Sequence, residues 1–193
     1  MASASARPLR ADAQRNRDRL LKVAVRAFSS GSPDVTLESI ARDAGVGIGT
    51  LYRHFPTREA LIEAAYRNEL ARLCGSAAEL LQTGPADVAL RAWMDRFIDY
   101  LATKHGMADA LRAVIASGGD PFAQSRESLL DAIGTLLKAG AADATLRSEV
   151  APADVLASLS GVSLVAGAPD QRDQAGRLLD LLLDGLRRQP PAG

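Results

Sequence analysis

The stretch AGVGIGTLYRHF, Ala44 to Phe55, sets Thr50, Tyr52, Arg53 and His54 around one leucine, directly after three glycines, Gly45, Gly47 and Gly49. A hydroxyl, a phenol, a guanidinium and an imidazole so closely spaced are hydrogen-bonding groups suited to reading another molecule's polar edges. They do not form a catalytic set. The chain has two histidines, His54 and His105, and neither follows a glutamate by three residues, so the Glu-x-x-His pattern of a carboxylate-bridged metal bundle is missing. No Gly-x-Ser-x-Gly occurs, and GVGIG has the wrong spacing for a phosphate loop or a dinucleotide fingerprint. The single cysteine, Cys74, excludes an intrachain disulfide and a Cys-Cys-His metal site. Recognition rather than catalysis is expected, with no cofactor and no metal.

Those groups need elements to hold them, and the apolar spacing is helical almost throughout. Leu20, Leu21, Ala24, Ala27 and Phe28 recur at three and four within 13–29, with Arg15, Arg17, Arg19, Lys22 and Arg26 on the other face. Gly31 and Pro33 end that helix. Thr36 is a good N-cap for a short helix carrying Leu37, Ile40, Ala41 and Ala44, and Gly45 closes it. A third helix runs from about Gly47 to Phe55 and stops at Pro56. A fourth starts after Thr57 and carries Leu61, Ile62, Ala65, Leu70 and Leu73. Thr83, Asp120 before Pro121, and Asp170 mark later helix starts. No segment alternates with period two long enough to be a strand, so the fold is all-α, with about nine helices.

A short helix, a glycine turn and a second short helix form a helix-turn-helix, whose second helix enters the DNA major groove. At about 100° per residue, Leu51 and Phe55 point inward, Gly49 and Arg53 outward, and Thr50, Tyr52 and His54 flank the outer face. Tyr52 also has a plain reading, as a core aromatic with its hydroxyl at the surface, and His54 as an ordinary surface histidine. Charge distribution agrees with a polyanion partner at one end. The net charge is zero, but residues 1–60 hold 10 basic and 6 acidic side chains, leaving 13 and 17 for the rest.

The block from Arg19 to Ala65, above all TLESIARDAGVGIGTLYRHFPTREALI, resembles the N-terminal DNA-binding domain of the TetR family of bacterial transcriptional regulators. The resemblance implies that Thr36 caps the second helix and touches a phosphate, and that Arg42 at its end contacts the backbone or a base. It puts Gly49, Thr50, Tyr52 and His54 on the groove side of the recognition helix, where the outward Arg53 of the wheel also lies, and Arg58 as a phosphate clamp at the start of the fourth. Where the family commonly has serine and then a basic residue, this chain has Gly47 and Ile48. Glycine still caps; Ile48 offers a contact to a thymine methyl instead of a phosphate.

The implied organisation is an N-terminal arm, 1–12, expected to be disordered; a three-helix DNA-binding domain, 13–60; a connecting helix, 61–82; a helical regulatory and dimerisation domain, 83–188; and a tail, 189–193. One helix-turn-helix reads too few base pairs for a genome, so a homodimer on a near-palindromic double-stranded operator is expected. The pairing surface is sought in the last two helices, at Leu156, Ser160, Gly161, Leu164, Leu179, Leu182, Leu183 and Leu186. A small-molecule effector of unknown identity is assigned to Trp93, Phe97, Tyr100, His105, Met107, Phe122 and Ser125, whose aromatic and sulfur groups suit an apolar pocket and equally suit a plain core. No apolar run reaches a membrane span, and the N-terminus lacks a signal-peptide core, so a cytoplasmic protein is expected. The alternative is a helical module that binds only a ligand or a protein, without DNA.

Overall fold

The computed structural model describes residues 6–30 and 35–188. Among these there are α-helices α1 (Ala6–Ser29), α2 (Leu37–Asp43), α3 (Ile48–His54), α4 (Arg58–Leu81), α5 (Ala86–Gly106), α6 (Ala108–Ala116), α7 (Ser125–Ala142), α8 (Pro152–Ala166) and α9 (Arg172–Leu186), with a 3-10 turn at Pro169–Gln171. No strand forms among the described residues; one isolated antiparallel bridge joins Leu146 to Arg187. The chain divides into two compact units, Met1–Asn68 with Thr103–Pro121, and Glu69–Ala102 with Phe122–Gly193.

In the first unit, α1 begins at Ala6, so residues 6–12 of the expected arm are its first turns, and residues 1–5 lie outside the described set. Leu20, Leu21, Ala24 and Phe28 of α1 are buried, as are Ile40 and Ala41 of α2, Leu51 of α3, and Leu61, Ile62 and Ala65 of α4. The expected domain edge at residue 60 is thus replaced by one inside α4, because that helix buries its first turns in this core. The last turn of α5 and α6 also belong here. A Cβ on Gly106 would stand 2.6 Å from the Ser29 carbonyl oxygen, so only glycine lets α5 end against the end of α1. Arg67 adds a hydrogen bond to the Asp120 carbonyl at 3.1 Å.

The second unit buries Leu90, Trp93, Met94, Phe97 and Ile98 of α5 with Ile133 and Leu136 of α7, Val155 and Leu159 of α8, and Leu179 and Leu183 of α9. Arg91 of α5 pairs with Asp180 of α9 at 2.6 Å, Arg187 with Asp87 at 3.0 Å, and Arg172 with Asp95 and Asp99 at 3.2 Å each. Such half-exposed pairs fix register more than they add stability.

Three helix starts differ from the sequence reading. Thr83 does not cap α5; its hydroxyl donates back to Leu80 at 2.7 Å, and Asp143, from the end of α7, accepts the Ala86 N–H at 3.0 Å. With the Thr145 hydroxyl also donating, these bonds hold the Asp143 carboxyl below its usual range. Pro121 does not open α7: the chain turns through 121–124, with the Ser125 N–H on the Phe122 carbonyl at 3.0 Å and Gln124 left-handed at φ 61°. Asp170 sits inside the 3-10 turn, and α9 begins two residues later, at Arg172.

Candidate nucleic-acid interface

The helix-turn-helix is assembled by local bonds that its sequence dictates. The Thr36 hydroxyl accepts the Ser39 N–H at 3.1 Å, and the Ser39 hydroxyl returns a bond to the Thr36 carbonyl at 2.8 Å. At the other end of α2, the Gly45 N–H reaches the Arg42 carbonyl and the Val46 N–H the Ala41 carbonyl, both at 3.0 Å. This is a Schellman closure, and Gly45, at φ +66°, occupies the left-handed position it requires. Gly47 caps α3 without a side chain, Phe55 is extended ahead of Pro56, and the Thr57 hydroxyl accepts the Ala60 N–H at 3.0 Å to start α4. Two tight stops therefore leave α3 only seven residues long.

Burial sorts α3 as its spacing predicts. Leu51 and the capping Phe55 are buried at 0% and 3% exposure, whereas Ile48 and Tyr52 are 39% and 45% exposed. Gly47, Gly49 and Arg53 are exposed, and Thr50 and His54 half-buried. A Cβ at Gly47 or Gly49 would meet nothing within 4 Å, so the backbone there is open to close approach. Tyr52 is thus not the core aromatic of its plain reading. Arg42 is exposed and loosely paired with Asp43 at 3.6 Å, a contact of little energetic weight.

Arg58 is placed less freely than the resemblance implies. It is half-buried, its guanidinium lies 4.8 Å from the Phe28 ring centroid, and it donates to the Val35 carbonyl. The sequence reading also passed over Arg17, whose guanidinium lies 5.6 Å from the Phe55 ring centroid. Spacing on α1 put Arg17 on the polar face and carried no signal of that ring contact.

Of the seven effector candidates, five lie in the second unit and two in the first. Trp93 stacks on Phe97 at 5.7 Å between centroids and Phe97 meets Tyr100 tilted at 6.2 Å, the three being 0%, 1% and 7% exposed; the Trp93 indole N–H donates to the Leu73 carbonyl at 3.0 Å. His105 and Met107 belong to the first unit, one exposed and the other buried. Phe122 is half-buried, and the buried Ser125 hydroxyl has no hydrogen-bond partner. Two open clefts of about 490 and 500 Å³ in the second unit, at Arg147 with Arg188 and at Arg91 with Arg187, are lined by none of the seven.

The eight pairing candidates divide evenly. Leu156, Leu179, Leu183 and Leu186 are buried in the chain's own core, a correction that follows from α8 and α9 packing on each other and on their neighbours. Ser160 and Gly161 are exposed, Leu182 is half-exposed and Leu164 is 84% exposed. Val165 and Leu181, at 60% and 69% exposure, extend the same outward faces; leucine and valine on both sides of a helix give no sign in the sequence of which side is inner.

This arrangement, with short capped helices presenting an open outer face on a buried stem, defines a helix-turn-helix DNA-binding transcription regulator. Residues 20–65 match the model for bacterial regulatory proteins of the tetR family, and residues 85–188 the model for the SbtR-like transcriptional regulator C-terminal domain. The chain belongs to the TetR family of bacterial transcriptional regulators. It is 59% identical to a TetR transcriptional regulator of known structure from Streptomyces coelicolor, over 91% of this chain and 99% of that one, with a TM-score of 0.85. A TetR regulatory protein from Mycobacterium vanbaalenii is 34% identical, over 94% of this chain and all of the other, with a TM-score of 0.75. HTH-type transcriptional regulators from Staphylococcus aureus are 35% identical over 63 residues, a match spanning 32% of this chain and about a third of theirs, 34%. No helix among the described residues is long and apolar enough to cross a membrane.

Proposed function

We propose that the chain is a homodimeric one-component repressor of the cytoplasm, which reads a near-palindromic operator with two heads and releases it when a small molecule binds the C-terminal unit. The observation that carries the reading is the outer face of α3: Gly49, Tyr52 and Arg53 are exposed, while Leu51 and Phe55 anchor the helix from behind. Side chains that no core needs are available to base edges. Thr36, Arg42 and Arg58 are the proposed backbone contacts, and Ile48 the proposed methyl contact.

The dimer is supported by the outward faces of α8 and α9. Leu164, Val165 and Leu181 expose apolar surface beside Ser160, Gly161 and Gly185, and a Cβ on either glycine would meet nothing within 4 Å. Covering a leucine so exposed contributes about 1.5–3 kcal/mol, so an isologous contact of two such faces is favourable. α4 has turns in both units and is the proposed lever. If effector and DNA favour different arrangements of the heads, each must weaken the other's binding by the same factor.

The test is retention of DNA from the source genome by the purified chain, followed by sequencing. The expected product is a duplex with two related half-sites about one helical turn apart. A chain that retains no duplex from its own genome, yet binds a small molecule or a protein, sinks the reading in favour of a module without DNA binding.

A further inference from the structure

We propose that Arg17, on α1 and outside the helix-turn-helix, is a phosphate-binding residue that holds the DNA backbone beside the C-terminal end of the recognition helix. The assignment rests on the DNA-binding reading above and adds a contact that neither motif nor spacing supplies.

The observation is a cation placed and left without an anion. The Arg17 guanidinium sits over the Phe55 ring, 5.6 Å from its centroid, and Phe55 is buried and caps α3 directly after His54. The other charged groups on this stretch of α1 are engaged: Arg15 pairs with Asp12, Arg19 is hydrogen-bonded to Asn16, and Asp18 accepts from Gln14 at 2.7 Å. Arg17 makes no hydrogen bond or ion pair among the described residues, yet it is half-buried where a freely waving arginine would be exposed. A ring face that fixes the plane of a guanidinium leaves its in-plane N–H groups for an acceptor, and the entropy of ordering the long side chain is already spent.

Position selects the acceptor. Phe55 lies on the inward side of α3, away from Gly49 and Arg53, so a cation resting on it stands beside the groove-facing surface rather than on it. What borders a groove is phosphodiester backbone, and the planar fork of arginine matches phosphate oxygens in pairs. Arg58 rests on the Phe28 ring in the same way, with one donor already on the Val35 carbonyl and the others left for a phosphate.

The experiment measures binding to a mixed-sequence duplex, and to a duplex selected from the source genome, at a series of salt concentrations. It compares the native chain with Arg17→Ala, Arg17→Gln, Arg17→Lys and Arg15→Ala. Arg17→Ala is expected to shallow the slope of log affinity against log salt by about 0.9 per bound head and to weaken both duplexes by the same factor. Arg17→Lys keeps most of the slope, and Arg17→Gln, which retains a stem over Phe55, loses it at an unchanged melting temperature. Arg15→Ala removes the same charge from an exposed ion pair and leaves the slope alone. A native slope in folded Arg17→Gln, or equal slope losses in Arg17→Ala and Arg15→Ala, overturns the assignment while DNA binding stands. A native chain that binds neither duplex overturns both.

Discussion

The Arg58 guanidinium stands 4.8 Å from the centroid of the Phe28 ring and also donates to the Val35 carbonyl, so one side chain ties the start of α4 to α1 and to the chain entering α2. A planar, five-donor group can do this and still keep donors for a phosphate; an ammonium cannot match it. Arg58→Ala is therefore expected to lower stability by about 1–3 kcal/mol, the combined weight of a cation–π contact and a charged hydrogen bond. Arg58→Lys should recover only part of it. Urea midpoints without DNA check the brace, and an unchanged midpoint in Arg58→Ala removes it. The salt slope of DNA binding by the same variant separately checks the phosphate contact.

Tyr52 and Leu51 are chain neighbours with opposite fates, one 45% exposed and the other fully buried. Tyr52→Ala and Thr50→Ala are expected to cost about 1–3 kcal/mol of operator affinity each, with an unchanged melting temperature. Leu51→Ala, by contrast, should destabilise the head by about 2–5 kcal/mol through the cavity it leaves. Gel shifts on the selected duplex, beside thermal melts, separate the two. If Tyr52→Ala unfolds the head while folded Thr50→Ala binds normally, the groove assignment is wrong.

What was legible in the sequence was whatever depends on near neighbours. The Thr36 cap, the glycine at position 45, the stop before Pro56 and the inward pair Leu51 and Phe55 are all set within a few residues, and the chain writes them openly. What depends on distant partners was not. The Asp143 carboxylate that caps α5 arrives from 57 residues away, and the Arg17 and Arg58 ring contacts join separate helices. The same limit explains α8 and α9, where leucines surround each helix and only packing decides which are inner. Leu183 is buried and Leu181 is 69% exposed, two positions apart in one apolar run.

Leu164 on α8 and Leu181 on α9 are the most exposed leucines of the second unit, at 84% and 69%. Leu164→Asp or Gly161→Arg is expected to yield a folded monomer with lost operator binding, since at a self-facing seam a charge meets its own copy and is left unpaired. Both sites are outward, so the fold itself should survive. Light scattering that still gives twice 20.3 kDa for both variants would move the interface elsewhere.

Burial, with Asp131 adding a smaller push, raises the Cys74 thiol to about 11. The neutral thiol is the form that folding favours, so its contribution to stability is complete below the ordinary thiol range and fades as pH rises from about 9 to 11. The thiolate is the nucleophile, so alkylation of native chain at pH 8 should run about two orders of magnitude slower than in denaturant and accelerate steadily toward pH 11. Equal rates in native and denatured chain would show that the thiol is not held back by the fold.

Phe97 stacks on Trp93 at 5.7 Å and is 1% exposed, while the Trp93 indole N–H is committed to the Leu73 carbonyl at 3.0 Å. Groups so placed hold α5 to α4 as a filled core, and a ligand reaching them must displace packed atoms or break that bond. Phe97→Ala is expected to cost about 3–5 kcal/mol of stability, whereas Phe97→Leu, nearer in volume, should cost less. Trp93 is the only tryptophan, so its emission reports this core alone, and it should be blue-shifted in the native chain and move red on unfolding. An effector that binds in contact with the stack should change that emission over the same concentrations at which it releases DNA. Release with no spectral change, surviving in Trp93→Phe, would place the effector elsewhere in the second unit. A Phe97→Ala chain that melts like the native protein would show that the stack is not core at all, and would return these residues to the pocket.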